Sequence, residues 1–163
     1  MNVLDLADEA IGELVERTGF TGYVGVLNGT DIVILRRRQG RYPVRMVLDP
    51  GTQVAAFTTA YGKALLARFS DDELRSRLPK TLSHEPTKLH KPIGKLLTEL
   101  ALVRNRHWAS AVGETVPGIG AIGSAVGSND SQPAVGLALS FPVNAVNRKQ
   151  HDEMIELMVD CAA

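Results

Sequence analysis

The chain has 163 residues, 44% apolar, 22% charged and 5% aromatic, with 18 Lys plus Arg balanced by 18 Asp plus Glu. That composition excludes a disordered chain, which is poor in apolar residues and rich in net charge, and it leaves no overall cationic excess for coating nucleic acid. One cysteine, Cys161, excludes an internal disulfide framework and any zinc site that needs two thiolates. Met1-Asn2-Val3-Leu4-Asp5 lacks the basic and apolar regions of a secretory leader, and no apolar run approaches the ~20 residues that span a bilayer. The expectation is a soluble, cytoplasmic, single domain over residues 1–163.

Val3, Leu4, Ala7, Ala10, Ile11, Leu14 and Val15 recur at helical spacing, with Gly19 as the residue that ends the helix. The period then shortens. Tyr23–Leu27 and Asp31–Leu35 are β-rich runs on either side of Asn28-Gly29, a strong hairpin signal. Pro43–Leu48 predicts a third strand, closed by the turn tripeptide Asp49-Pro50-Gly51. After Val54 the chain turns helical: Thr58 or Thr59 caps a helix carrying Ala60–Ala67, and Ser70 with Glu73 makes a capping box for a short helix ended by Pro79. Lys80–Lys91 is polar and Pro-containing and predicts a surface loop. Pro92 suits the first position of a helix that buries Ile93, Leu96, Leu97, Leu100 and Val103.

Strand character returns in a weakly signalled Trp108–Val112, then in Ile119–Val126 and Ala134–Phe141, the last two separated by the turn cluster Ser128–Pro133. Asn147 caps a closing helix with Met154, Ile155, Met158 and Val159 on its inner face. The order predicts an α+β domain on a mostly antiparallel sheet of about six strands packed with helices.

Several motifs fail on their surroundings. Gly118-Ile119-Gly120-Ala121-Ile122-Gly123 matches G-x-G-x-x-G, yet its glycines begin a strand instead of opening a helix, and no acidic residue follows at the required distance. Gly62-Lys63 lacks both flanks of a phosphate loop, since Phe57 and Ala64 replace the needed glycine and hydroxyl residue. His84, Glu85 and His90 fit no compact ligand geometry, and His107 reads as a cation at a helix end. Arg36, Arg37, Arg38, Arg41 and Arg45 form the one cationic cluster, but strand alternation disperses them over two faces, as on a solvated or interface-forming strand. No convincing nucleophile, base or metal centre emerges.

Phe57-Thr58-Thr59-Ala60-Tyr61-Gly62-Lys63-Ala64-Leu65-Leu66-Ala67-Arg68-Phe69-Ser70 resembles the IclR family of bacterial transcription regulators, in its C-terminal, GAF-like effector-binding domain. Gly62–Ala67 is the most specific piece. Arg104–Ala109, Gly113-Glu114, Val116–Ile119 and Ala121–Val126 make a second match, and the opening helix, the Asn28-Gly29 hairpin and Tyr42–Met46 fall in register. The resemblance implies a regulator whose winged helix-turn-helix domain precedes the sensor domain, and the chain read this way holds no DNA-reading element of its own.

It further implies a pocket between sheet and central helices for a small organic effector. Carried over by motif, Met46 and Val54 are wall residues, Ala60 and Tyr61 precede backbone N–H groups at Gly62-Lys63 that would receive a carboxylate, and Ala111, Ile119, Ala121, Ala138 and Ser140 line strands. Ser140 adds a hydroxyl. Alanine at 111, where many relatives carry an acid, and at 138 predicts a roomier, more apolar pocket, with Tyr61 either stacking on a ring or filling space. The expected effector is an aromatic or otherwise apolar carboxylic acid. The expected partners are that effector, further copies of the chain as dimer or tetramer, with the Arg36–Arg45 strand or the first helix at the interface, and DNA only through the N-terminal domain; no membrane and no cofactor are expected. An oligomerisation module without ligand is the alternative, and an enzyme a weaker one, because one Cys161 cannot run a dithiol cycle.

Overall fold

A computed structural model describes residues 2–43, 48–127 and 133–163. Helix α1, Val3–Thr18, starts where the Asn2 side chain accepts from the Asp5 N–H, and stops where Gly19 turns left-handed at φ 81°. Strands β1 (Thr21–Asn28) and β2 (Asp31–Arg38) form the hairpin that Asn28-Gly29 announces. The third strand, β3, is Gln53–Ala55, too short for its alternation to mark it along the chain. Of the expected Pro43–Leu48 strand, residues 44–47 lie outside the described residues, while Pro43 and Leu48 belong to no regular element. The turn at Asp49–Gly51 folds straight back onto β2, where Ile34 accepts from the Gly51 N–H and donates to Thr52.

Helix α2 is Ala60–Leu66, α3 is Asp71–Arg77 with its Ser70–Glu73 capping box, and α4 is Ile93–Arg106, burying the five apolar residues expected of it. Pro92 sits at the cap of α4, one position before the first helical residue. The expected loop at 80–91 is instead a hairpin of β4 (Thr81–His84) and β5 (Leu89–Pro92). Its inward residues are Leu82 and Lys91, so a lysine occupies the position where apolar alternation would have marked a strand. Strands β6 (Ala109–Val112), β7 (Ile119–Val126) and β8 (Val135–Pro142) follow, then α5 (Arg148–Ala162), capped by Asn147. The turn cluster 128–132 lies outside the described residues.

The main sheet runs β3-β2-β1-β8-β7-β6, every pair antiparallel. Strand parity divides its two faces. Val24, Ile122, Leu137, Leu139 and Phe141 join Ile11, Leu14, Met154 and Met158 in the core under α1 and α5. The opposite face meets α2 and is built small: a Cβ on Gly123 would stand 2.7 Å from the Tyr61 nitrogen, and one on Gly136 would stand 2.9 Å from the Tyr61 Cβ. Those glycines let α2 lie directly against β7 and β8. A further core holds α2, α3 and α4 together through Leu66, Leu74, Leu96 and Leu100.

Candidate functional site

Thr59, not Thr58, caps α2: its hydroxyl accepts from the Gly62 N–H at 2.9 Å and donates to the Ala56 carbonyl at 3.1 Å, and its carbonyl accepts the Lys63 N–H at 3.0 Å. The two backbone donors expected to hold a ligand carboxylate, Gly62 and Lys63, are therefore consumed by the cap. The capped helix presents Ala60 and Tyr61 to the sheet. Tyr61 is 4% exposed and packs among Tyr23, Ile32, Ile34, Leu65 and Ala138, its ring 6.5 Å from that of Tyr23. Burial pushes the Tyr61 phenol well above its usual range, with Tyr23 adding to the shift, so it stays protonated.

Beside this ring pair a cavity of about 70 Å³ remains between the start of α2 and the sheet. Its sheet wall carries Ala111, Ile119, Ala121, Ala138 and Ser140, and its helix wall carries Ala60 and Tyr61, so seven of the nine residues expected at a pocket converge here. Val54 does not. It pairs with Ile32 on β3 and packs in the core beside the ring pair. Met46 lies outside the described residues.

The cavity also has walls that sequence reasoning missed. Tyr23 is one, legible in hindsight from its even spacing with Gly25 on the α2 face. Leu48 is another, and its N–H donates to the Tyr23 hydroxyl at 3.2 Å, leaving the phenol proton free to point elsewhere. Thr58, Glu114, Thr115 and Val116 close one side. Thr115 donates to the Thr58 carbonyl at 2.9 Å, and the Thr115 carbonyl accepts from His84 Nε2 at 3.1 Å, so the loop between β6 and β7 is tied to both α2's approach and the β4–β5 hairpin. Ser140 is half-buried and its hydroxyl has no protein partner among the described residues.

Behind the cavity stands a ring of four charges. Lys63 and Lys91 are 3% and 4% exposed. Lys63 Nζ reaches Glu114 at 2.5 Å and Glu99 at 3.1 Å, and Lys91 Nζ reaches Glu99 at 2.9 Å and Glu114 at 2.7 Å. Lys63 also donates to the Ser110 carbonyl at 3.0 Å, which covers a polar group on the edge strand β6. Burial alone would raise the Glu99 carboxyl, but the Lys91 hydrogen bond and both ammonium charges hold it below its usual 4.5. Burial likewise works against the charge on Lys91, and the hydrogen bonds and charges of Glu114 and Glu99 outweigh it, leaving the ammonium harder to deprotonate than in water. The arrangement is neutral as a unit, which is how two buried lysines are tolerated. Two of the three arginines of β2 are likewise paired, Arg37 with Asp49 at 2.6 Å and Arg38 with Asp8 at 3.3 Å, while Arg36 donates to the Leu35 carbonyl at 3.0 Å. Among the described residues no group of three or more His, Cys, Asp or Glu could hold a metal ion, and no helix is long and apolar enough to cross a membrane.

An antiparallel sheet with helices on both faces and a short capped helix beside a small cavity defines a GAF-like α+β fold. The sequence matches the family described as bacterial transcriptional regulator IclR C-terminal over residues 1–163, and the chain belongs to that family. It is 32% identical over 140 residues to a protein named "Probable transcriptional regulator SauR" from Cupriavidus necator, covering 85% of this chain and 55% of that one. The Thermotoga maritima IclR crystal structure superposes with a TM-score of 0.86 at 24% identity, over 99% of this chain and 66% of that one. The C-terminal domain of Escherichia coli KdgR gives 0.82 at 23% identity, over 99% and 94%. The chain thus spans little more than half the length of the curated relatives it matches, and these relatives are transcriptional regulators.

Proposed function

We propose that this domain is the ligand-sensing part of a transcription regulator, taking a small organic acid into the cavity beside α2 and passing its occupancy to DNA binding by a winged helix-turn-helix domain in the same protein. The observation that carries the reading is convergence: seven small or apolar residues from α2, β6, β7 and β8 meet around one cavity, and the Ser140 hydroxyl among them has no protein partner among the described residues. A cavity of about 70 Å³ suits a short acid better than the expected aromatic one; a cavity of about 150 Å³ is the size that admits benzene. An aromatic acid would require Tyr61 to leave its place against Tyr23.

With the Gly62 and Lys63 N–H groups engaged at the start of α2, the hydroxyls of Ser140 and Tyr23 are placed to meet the acid, beside the first-turn N–H groups of Ala60 and Tyr61. Regulation then requires that the acid prefer one arrangement of the assembled protein. Self-association through α1 fits the exposure of Leu6, an apolar residue 48% open on that helix, and a cytoplasmic site of action follows from the role.

A thermal-shift titration with short carboxylic acids tests the reading. A specific ligand stabilises by RT ln(1 + [L]/Kd), about 2.7 kcal/mol at one hundred times Kd, which raises Tm by roughly 5–10 °C for a domain of this size. Ser140→Ala should weaken that response about tenfold in concentration while leaving the unliganded Tm in place. Flat titrations across the series would remove the sensor and bring forward a ligand-free assembly module.

A further inference from the structure

Glu114 is the one charged residue among the described residues lining the cavity. It also lines a groove on the other side, between α4 and β6, together with Lys63, Lys91, Lys95, Glu99 and Arg106. Glu114 is therefore a shared wall. Toward the groove stand four cations against two carboxylates, and the two nearest, Lys63 and Lys91, each touch the Glu114 carboxylate at 2.5 and 2.7 Å. Their hydrogen bonds go to Glu114, Glu99 and the Ser110 carbonyl, and neither lysine lines the cavity.

A ligand entering the cavity meets a negative group in front of a positive reserve. Its own carboxylate is served at the other walls, by the hydroxyls of Ser140 and Tyr23. Any second carboxylate that reached the Glu114 side would lose its hydration against a like charge whose cationic partners are already engaged, and both effects oppose binding. We propose that Glu114 is a specificity-determining residue, restricting the cavity to acids that carry a single negative charge by screening the Lys63–Lys91 pair from it. This rests on the cavity being the ligand site and goes beyond it by fixing the charge class of the ligand. The same geometry states what relaxes the restriction: once Glu114 is neutral, the ring holds two ammonium groups and only Glu99, and a net positive charge stands behind the Glu114 wall of the cavity.

The test needs no variant to begin. On the unaltered chain, calorimetric titration with succinate and with its monomethyl ester compares one four-carbon backbone at two charges, and the ester should bind about tenfold or more tightly than the diacid. Glu114→Gln should then shift the ratio of succinate to butyrate affinity about tenfold toward succinate, and combining it with Lys91→Met, which restores a neutral ring, should return the ratio to its starting value. Equal binding of succinate and its half-ester to the unaltered chain overturns the proposal whether or not the variant folds. So does an unchanged ratio in a cooperatively folded Glu114→Gln while butyrate still binds. A chain that answers to none of these acids overturns the sensor reading itself, and this proposal falls with it.

Discussion

Gly62→Ala separates two physical arguments that predict opposite signs. Gly62 lies inside α2, where helix propensity alone favours alanine by about 1 kcal/mol. The fold says otherwise. A Cβ at this position would stand 2.3 Å from the Ala56 carbonyl oxygen, 2.3 Å from the Thr59 hydroxyl and 2.7 Å from the Ala56 Cα, against an ordinary contact of 3.4–4 Å. None of the three can step aside cheaply. Ala56 is fully buried, and the Thr59 hydroxyl would give up both bonds that cap the helix. Relief requires α2 to move off by about an ångström, while the opposite side of α2 is set against Gly123 and Gly136. Overpacking of this kind costs about 1–3 kcal/mol and a lost cap about 1 more, so after the propensity gain the net loss is about 1–3 kcal/mol.

Urea unfolding followed by circular dichroism measures it. With a slope of about 2 kcal/mol/M, the midpoint should fall by about 0.5–1.5 M. Gly94→Ala is the internal control, because Gly94 lies in the first turn of α4 with nothing within 4 Å of the added carbon, and its midpoint should rise by a few tenths of a molar. A Gly62→Ala midpoint equal to or above that of the parent would refute the close approach of Ala56 and Thr59 on which the site geometry depends.

Lys63→Met leaves Glu99 and Glu114 facing Lys91 alone and should cost about 3–5 kcal/mol in the same assay, a large part of it recovered when Glu114→Gln is added, as a double-mutant cycle would show. The ring also sets two pH limits. Glu99, held below its usual 4.5, lends stability that is present above that value and lost as pH falls through its lowered folded value; Lys91, raised above its usual 10.5, lends stability present below that value and lost as pH rises through its raised one. Melting temperature against pH should therefore show a plateau between these limits, and Glu99→Gln should flatten the acid limb. Arg104→Met should cost about 2 kcal/mol by chemical denaturation, since its guanidinium donates to the Ala67 carbonyl at 2.7 Å and the Phe69 carbonyl at 2.8 Å, joining α4 to the end of α2.

Much of the architecture is local physics and was readable along the chain. The stripe from Ile93 to Val103, the capping box at Ser70 and Glu73, the cap at Asn147 and the Asn28-Gly29 hairpin are each settled within a few residues, and each element formed where expected. The likeness of Gly62–Ala67 and its neighbours to a regulator family points to nine pocket residues, seven of which line one cavity. What misled was polarity standing in for exposure: Lys91 turned a strand into an apparent loop because an inward lysine breaks the alternation by which strands are recognised. Thr59 shows the same limit at the level of atoms, since a cap that uses the Gly62 and Lys63 donors cannot be told, from residue types, from a helix start that offers them to a ligand.

The sequence by itself determined the fold class, because periodicity and turn chemistry act between near neighbours, and the motifs at Gly62–Ala67 and Arg104–Val126 carried the likeness to the family. Only the tertiary structure decided the size of the cavity, the place of Tyr61 in it and the joining of Lys63, Lys91, Glu99 and Glu114 into one neutral ring. Those four residues lie on four separate segments of the chain. A buried charge is tolerated only where an opposite one is brought to within hydrogen-bond distance, and that distance is set by how α2, β5, α4 and the loop after β6 pack together.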